Sequence, residues 1–411
     1  MRQTRSGQAA FHSTVIAAVI TAFLFVCVAN ARAQVTVTNL HNVNFSNEGD
    51  GEQALTVVGS KIYGTTGLDG PGMRGVIYSM NQDGSGFQVL DNVNDTGGST
   101  VTGALVSDGS KLYGATFGQT GVYSGSPTIF SLNLDGTDLQ AIHTFADLSG
   151  SSPVTLVGSK LYGTTSSGGT DNRGTVFSMN LDGTGYQSLY SFDASNSGGS
   201  QLTLIGSKLY GIGQTGTDFS NIASTIYSIN LDGTGIQSLH ALPGTTASSQ
   251  LAVIGSTIYG TTQFPSNTAL GGPDASLFSM SLDGSNFQTL HSFAAGGFEP
   301  NYGVTSFDGK LFGSGTSFST FDDQIFSINP DGSGYQQVLD FKNVDPSVNL
   351  GFQVNGPLVP IGNALAGPTN FSNFGGMVFA VTVPEPATWA MAVLATMGLL
   401  TFRRATRGTS G

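Results

Sequence analysis

One cysteine, one tryptophan, five histidines and 10% charged residues in a chain of 411 exclude several classes of protein at once. A lone Cys27 cannot form an internal disulfide or a thiolate metal cluster. Glutamate occurs only at positions 48, 52, 299 and 385, so nothing singles out the carboxylate pair of a glycoside hydrolase. Long apolar runs are missing from the middle of the chain and occur only near its two ends. Basic residues are scarce as well. Between the ends, eight lysines and arginines face 25 acidic residues, a net charge of −17 that repels phosphate backbones and excludes nucleic acid as a partner. What is abundant is glycine, 59 residues, which with so little charge points to turn-rich β structure.

The two ends read as addresses. Arg2 and Arg5 precede an apolar run over 15–29, and Ala31-Arg32-Ala33 forms an A-x-A site whose cleavage would leave Gln34 first. Cys27 falls inside this signal behind Val26, where lipid modification requires a small residue. At the other end Pro384-Glu385-Pro386 precedes an apolar segment over 387–402, closed by Arg403 and Arg404 and followed by Arg407. As a helix this segment spans about 24 Å, slightly under the ~30 Å hydrocarbon core. Flanking arginines prefer the cytoplasmic side, which would leave the body of the protein outside. Proline motif, apolar helix and basic stop resemble a PEP-CTERM sorting signal. The resemblance implies an exosortase-type processing enzyme as partner and a transmembrane helix that anchors the chain in the inner membrane until processing. It implies a destination, not an activity. The expected organisation is a signal peptide over 1–33, a repeat domain over 34–382 and a sorting tail over 383–411.

The middle is repetitive. Tyr-Gly recurs at Tyr63, Tyr113, Tyr162, Tyr210 and Tyr259, and degenerate copies at Phe312-Gly313 and Ala366-Gly367 bring the total to seven, at spacings of 48 to 54 residues. Each unit holds four short β-type runs, in the third over 154–157, 160–164, 175–179 and 186–192. Two-residue loops such as Gly158-Ser159 join the first two, with glycine where a type II′ turn needs it, and Asn-x-Asp-Gly joins the last two. Four antiparallel strands in about fifty residues is the content of a propeller blade. The expected fold is therefore all-β, a seven-bladed β-propeller. The last unit ends at its third strand, whereas an extra fourth-type strand over 40–45 precedes the first unit. That strand should complete the last blade and close the ring. Tyr-Gly-Thr-Thr, the Gly-rich loop, Phe-Ser-x-Asn and Asp-Gly also resemble the GloVer tandem repeat, a label that brings no substrate or catalytic residues with it.

Most polar residues that could carry chemistry sit at repeated positions, and a repeated position reads as packing. His41, His143, His240 and His291 share one place in the fourth strand, spread around a ring where they cannot converge on one metal. Asn-x-Asp-Gly lacks the acidic first ligand and the twelfth-position glutamate of a calcium loop. Lys61, Lys111, Lys160, Lys208 and Lys310 recur at the start of strand two. No Gly-x-Ser-x-Gly elbow is present, and no cofactor or metal is called for. The connections that differ between units are those after strand two, over 65–75, 117–127, 213–223, 263–275 and 315–323, and those between units. Variable loops on a rigid scaffold are where binding sits. Asp69, Tyr123, Asp171, Phe219, Phe264, Tyr302 and Phe318 mark a possible ligand face there. These features point to a non-enzymatic cell-surface or extracellular-matrix protein that binds a polysaccharide or a protein partner. A propeller polysaccharide lyase or hydrolase and a spacer without ligand are the alternatives.

Overall fold

The computed structural model describes residues 35–383 apart from 44–47, 49–51, 68–74, 94–99, 118–125, 146–149, 194–196, 199, 216–222, 243–245, 248–249, 264–274, 294–296, 318–321, 342–351 and 372–374. Ala31, Ala33, Gln34, Pro384, Glu385, Pro386, Arg403 and Arg404 lie outside the described residues, as do the two end helices expected from the sequence.

Val37–Val381 form one unit made of seven antiparallel sheets. In the third blade the strands are Thr155–Val157, Lys160–Thr164, Thr175–Asn180 and Gln187–Ser191, paired in that order. The seventh blade takes its fourth strand from the other end of the chain. Thr36–Asn42 pairs with Gly375–Thr382, and the Val43 amide donates to the Gly376 carbonyl at 2.8 Å. The ring is thus closed by the strand that the repeat arithmetic leaves over.

Burial explains the alternation between strands. The second and third strands of each blade are buried along most of their length, as in Leu161–Thr164 and Thr175–Met179, while the fourth is the exposed edge. Each Tyr-Gly glycine makes room for the aromatic ring on the third strand beside it. An added Cβ at Gly163 would lie 2.6 Å from the Phe177 ring, and the same holds at Gly64 with Tyr78 and Gly260 with Phe278. The recurring Tyr-Gly and Phe-Ser motifs are therefore two halves of one packing contact.

Neighbouring blades share their cores. Tyr113, Ala115, Ile129 and Phe145 of the second blade pack with Val154, Leu161, Phe177 and Met179 of the third. Leu55, Ile62, Tyr78 and Met80 of the first blade likewise pack with Ala366, Val378 and Ala380 of the seventh. On the inner strands, Thr56, Thr155 and Thr305 donate to the carbonyls of Leu105, Leu202 and Leu358 in the next blade.

The outer edge repeats a second device. In six blades the pairing of the third and fourth strands slips by one residue at the same place, leaving Leu90, Ile142, Leu189, Leu239, Leu290 or Val338 as an extra residue in a bulge. Such bulges twist an exposed edge away from pairing with other chains. Five of the bulge carbonyls meet the Asp-Gly turn of the following blade. At Gly183, with φ +81°, an added Cβ would lie 2.0 Å from the Ile142 oxygen, so this turn requires glycine both for its backbone and for its neighbour.

Candidate functional site

Both kinds of repeated turn lie at one end of the ring, here the turn end. The Gly-Ser hairpins have positive φ at glycine alone, as expected for type II′, for example 59° at Gly158. In the sixth blade Asp308 and Gly309 are both positive, 47° and 71°, the type I′ alternative. Within each Asn-x-Asp-Gly turn, and in the Ser281-Leu282-Asp283-Gly284 turn of the fifth blade, the aspartate is already engaged. Asp182 Oδ1 accepts the amide and hydroxyl of Thr184 at 3.0 and 2.6 Å, and the same pair of bonds recurs at Asp83, Asp135, Asp232, Asp283 and Asp331. These hydrogen bonds hold all six carboxyls below the usual range.

The repeated histidines join blades. His143 stacks on Tyr186 of the next blade at 4.2 Å between centroids, His240 on Phe287 at 3.8 Å, His291 on Tyr335 at 4.1 Å and His41 on Phe87 at 3.5 Å, all within 9° of parallel. Burial lowers the pKa of His143, His240 and His291. The repeated lysines begin strand two at the turn end, and Lys111 pairs with Asp138 at 2.7 Å.

The opposite, connection end is where the ligand face was expected. The connections are shorter than the sequence suggests, because the second and third strands run into them. Gly213–Thr215, Gln263 and Gly315–Ser317 belong to second strands, and Ala223 and Asp323 begin third strands. Of the proposed ligand-face residues, Asp69, Tyr123, Phe219, Phe264 and Phe318 lie outside the described residues. Asp171 is exposed in the third blade's connection. Tyr302 is half-buried between the two inner-strand pieces of the sixth blade, Phe298–Pro300 and Thr305–Phe307, three blades on from Asp171. Phe298, which reads as part of a connection, lies in an inner strand and is buried.

Around Tyr302 the sixth blade breaks the repeat. In five blades a threonine hydroxyl near the end of strand two accepts the amide that opens strand three, as Thr165 does from Thr175 at 3.0 Å. The sixth blade has Gly315 at that place. It also has Asp323 where the other blades carry Gly75, Pro127, Gly174, Ser224, Ala275 and Gly376. Asp323 is fully buried. Its Oδ2 accepts the Val354 amide of the seventh blade at 2.5 Å and Asn301 Nδ2 at 2.9 Å, and its Oδ1 lies 2.5 Å from Thr316 Oγ1. Thr316 Oγ1 in turn lies 2.9 Å from Asn301 Nδ2 and 3.1 Å from Asn301 Oδ1. Ser224 does the same work with a shorter side chain, accepting the Ala247 amide of the fifth blade at 2.9 Å.

Burial pushes the Asp323 carboxyl up to about 6 against the pull of its three donors, with Asp322 adding to the rise. The network continues to the inner surface. Tyr302 donates to Asn355 Oδ1 of the seventh blade at 2.9 Å, and burial with the nearby Asp323 charge raises its hydroxyl to about 12. Gln263 Nε2 donates to the carbonyls of Pro300 and Asn301, both at 2.9 Å. A half-buried aromatic ring, the remaining polar atoms of two carboxamides, Gln263 and Asn355, and no cation among these residues suit hydrogen bonding to hydroxyl groups and stacking on an apolar ring face. The sequence signal for this cluster is an aspartate where every other blade has a small residue or proline.

Residues 28–223 match the Gloeobacter/Verrucomicrobia repeat. That stretch carries the first four Tyr-Gly units and is similar to this repeat. No curated protein matches the chain. Among solved structures, the oligogalacturonate lyase of Vibrio parahaemolyticus is similar with a TM-score of 0.52 at 12% identity, over 86% of this chain and 95% of that one. The GH74 xyloglucanase of Xanthomonas campestris gives 0.56 at 13%, over 84% and 53%, and a puromycin-hydrolyzing peptidase of Mycobacterium tuberculosis 0.58 at 10%, over 82% and 52%. The chain spans about half the length of the latter two. At these identities the likeness is one of fold.

Proposed function

We propose that the chain is an exported cell-surface or extracellular-matrix protein whose propeller binds a polysaccharide at its connection end without cleaving it. The observation that carries this reading is the concentration of repeat-breaking polar residues at one end of an otherwise repetitive ring. Tyr302 supplies a ring face for a pyranose, and Asn355 Nδ2 and Gln263 Oε1 supply a donor and an acceptor for its hydroxyls. The N-terminal signal and the PEP-CTERM-like tail, which address the chain to the outside through an exosortase-type enzyme, support the extracellular setting. Two of the similar folds are named for enzymes of carbohydrates, and an active lyase or hydrolase is the rival reading.

The test is to mix the purified full-length chain, in mild detergent, with the host's own matrix polysaccharide and to follow sedimentation and polymer size together. Co-sedimentation with intact polymer is the expected result, weakened roughly tenfold by Tyr302→Ala. Release of soluble fragments would replace binding with catalysis. Neither pelleting nor cleavage would leave a protein partner or a spacer.

A further inference from the structure

Six blades join their third and fourth strands through an Asp-Gly turn, and the seventh does not. In the third blade Asn180 ends the third strand, and residues 181–184 carry the chain round to Gly185 and the fourth strand. The seventh blade matches this pattern on both sides of the missing turn. The Met377 amide donates to Thr369 Oγ1 as that of Thr175 does to Thr165, which sets Thr382 in the place of Asn180. The Val43 amide donates to the Gly376 carbonyl as that of Phe192 does to Gly174, which sets Thr36 near the place of Gly185. Both chain ends therefore leave the ring at the turn end, where the seventh turn would be.

The distance from there to the apolar segment is short. Only Val383 and the Pro384-Glu385-Pro386 motif separate Thr382 from Ala387, where the run over 387–402 begins. Five steps of chain span at most about 18 Å, however they are arranged. The strand Gly375–Thr382, with eight residues, is itself about 26 Å long. To turn its connection end towards a bilayer that holds 387–402, the ring would need a tether able to run back along that whole strand. The tether is too short to do so.

We infer that the ring stands on the membrane by its turn end, so that phospholipid headgroups face the turn end and the connection end is held away from the bilayer. This orientation rests on the reading of 387–402 as a membrane segment, and not on what the connection end binds. The N-terminal run over 15–29 enters the ring through Thr36, so before signal cleavage both ends hold it at one point. Placed in this way, the variable connections open outward to whatever surrounds the cell.

Charge agrees with the placement. All five lysines among the described residues, Lys61, Lys111, Lys160, Lys208 and Lys310, stand at the turn end, where they offset part of the charge of the turn aspartates. The connection end has no lysine among the described residues. Anionic headgroups attract lysine within about one Debye length, roughly 8 Å at physiological salt, so the end that must lie closest to the lipid is also the better suited to it.

The test uses the full-length chain with Cys27→Ser, reconstituted into vesicles of phosphatidylethanolamine and phosphatidylglycerol whose headgroups carry an energy acceptor. One protein bears a donor dye at Ser159→Cys, in the third blade's hairpin at the turn end. A second bears it at Asp171→Cys, in the same blade's connection, and both positions are exposed. Transfer to the headgroups should be severalfold greater from position 159 than from position 171. A Gly/Ser linker of about 30 residues inserted after Val383, with a reach of roughly 30 Å, should bring the two values together. Transfer from position 171 that equals or exceeds that from position 159 on the short tether overturns the orientation, as does transfer from neither. A difference that the long linker leaves unchanged overturns the tether as its cause. A chain that fails to float with the vesicles overturns the membrane reading and the orientation with it, whereas failure to bind a polysaccharide would leave both standing.

Discussion

The two ends of the ring were built under different rules. At the turn end the Asn-x-Asp-Gly turns are nearly copies of one another, each aspartate bonded within its own turn and five of the glycines set against a bulge carbonyl of the preceding blade. At the connection end no two segments are alike in sequence. The difference lies in what each end touches. A turn wedged against the next blade can accept almost no other residue, whereas a connection that leaves the packed strands can vary without disturbing them. Stability is thus concentrated at the turn end and the shared cores, and novelty at the other end. Substitutions at the two ends should separate cleanly into those that unfold the ring and those that change what it holds.

The largest effect should come from breaking the closure. Deleting 36–43 removes the seventh blade's outer strand together with partly buried Leu40 and buried Val43. Those two side chains alone are worth about 4 kcal/mol. The deletion should lower the denaturant midpoint sharply and expose an unpaired edge that promotes association. An unchanged midpoint would mean that the ring holds without its clasp. Gly183→Ala comes next. A methyl group at φ +81°, 2.0 Å from the Ile142 oxygen, combines backbone strain with overpacking and should cost about 3 kcal/mol in chemical denaturation. The same substitution at Gly158, also at positive φ but with nothing within 4 Å, should cost only the backbone part, about 1 kcal/mol. Equal losses at the two positions would show that the contact between blades is not what fixes the glycine.

How much of this was written in the sequence depends on how often it was written. Strand order, blade number and the closing strand follow from Tyr-Gly, Gly-Ser and Asp-Gly because each signal occurs five times or more, and chance matches average out. The histidines were legible as packing for the same reason, although their partners were not. Stacking of His143 on Tyr186 needs the blade geometry that brings residues 43 positions apart together. The inner strand was only half visible. In four blades it is split in two, as in Phe298–Pro300 and Thr305–Phe307, and the first piece has no repeated residue to announce it. Asp323 escaped because it reads as the end of a connection. It is a strand residue, and its meaning lies in Asn301, Thr316 and Val354, which only the fold brings within reach.

The histidine stacks give a smaller, pH-dependent prediction. Burial depresses the pKa of His143 from 6.5, so its contribution is present above that value and lost as pH falls through the lowered one. The ring is half-exposed and solvent screens it, so the change is no more than about 1 kcal/mol. His143→Gln should flatten the acid side of the stability curve by that amount and leave the neutral side lowered by the lost stacking with Tyr186. A variant as acid-sensitive as the wild type would place the acid sensitivity elsewhere, for instance in the turn aspartates.

The smallest effect on stability should be Asp171→Ala. Asp171 is exposed in a connection whose own shape is held by neighbours, the Gly168 amide donating to Asn172 Oδ1 at 2.7 Å and the Gly174 amide to the Gly168 carbonyl at 3.0 Å. Removing its carboxylate should therefore change the unfolding free energy by less than about 0.5 kcal/mol. It also removes one negative charge from the acidic body of the protein, which should leave a neutral polysaccharide's retention unchanged and slightly raise that of an acidic one, by an amount that vanishes in 1 M salt. A loss of stability comparable to that of Gly183→Ala would erase the contrast between the two ends. A change in retention that persists at high salt would instead give Asp171 a direct contact with the bound chain.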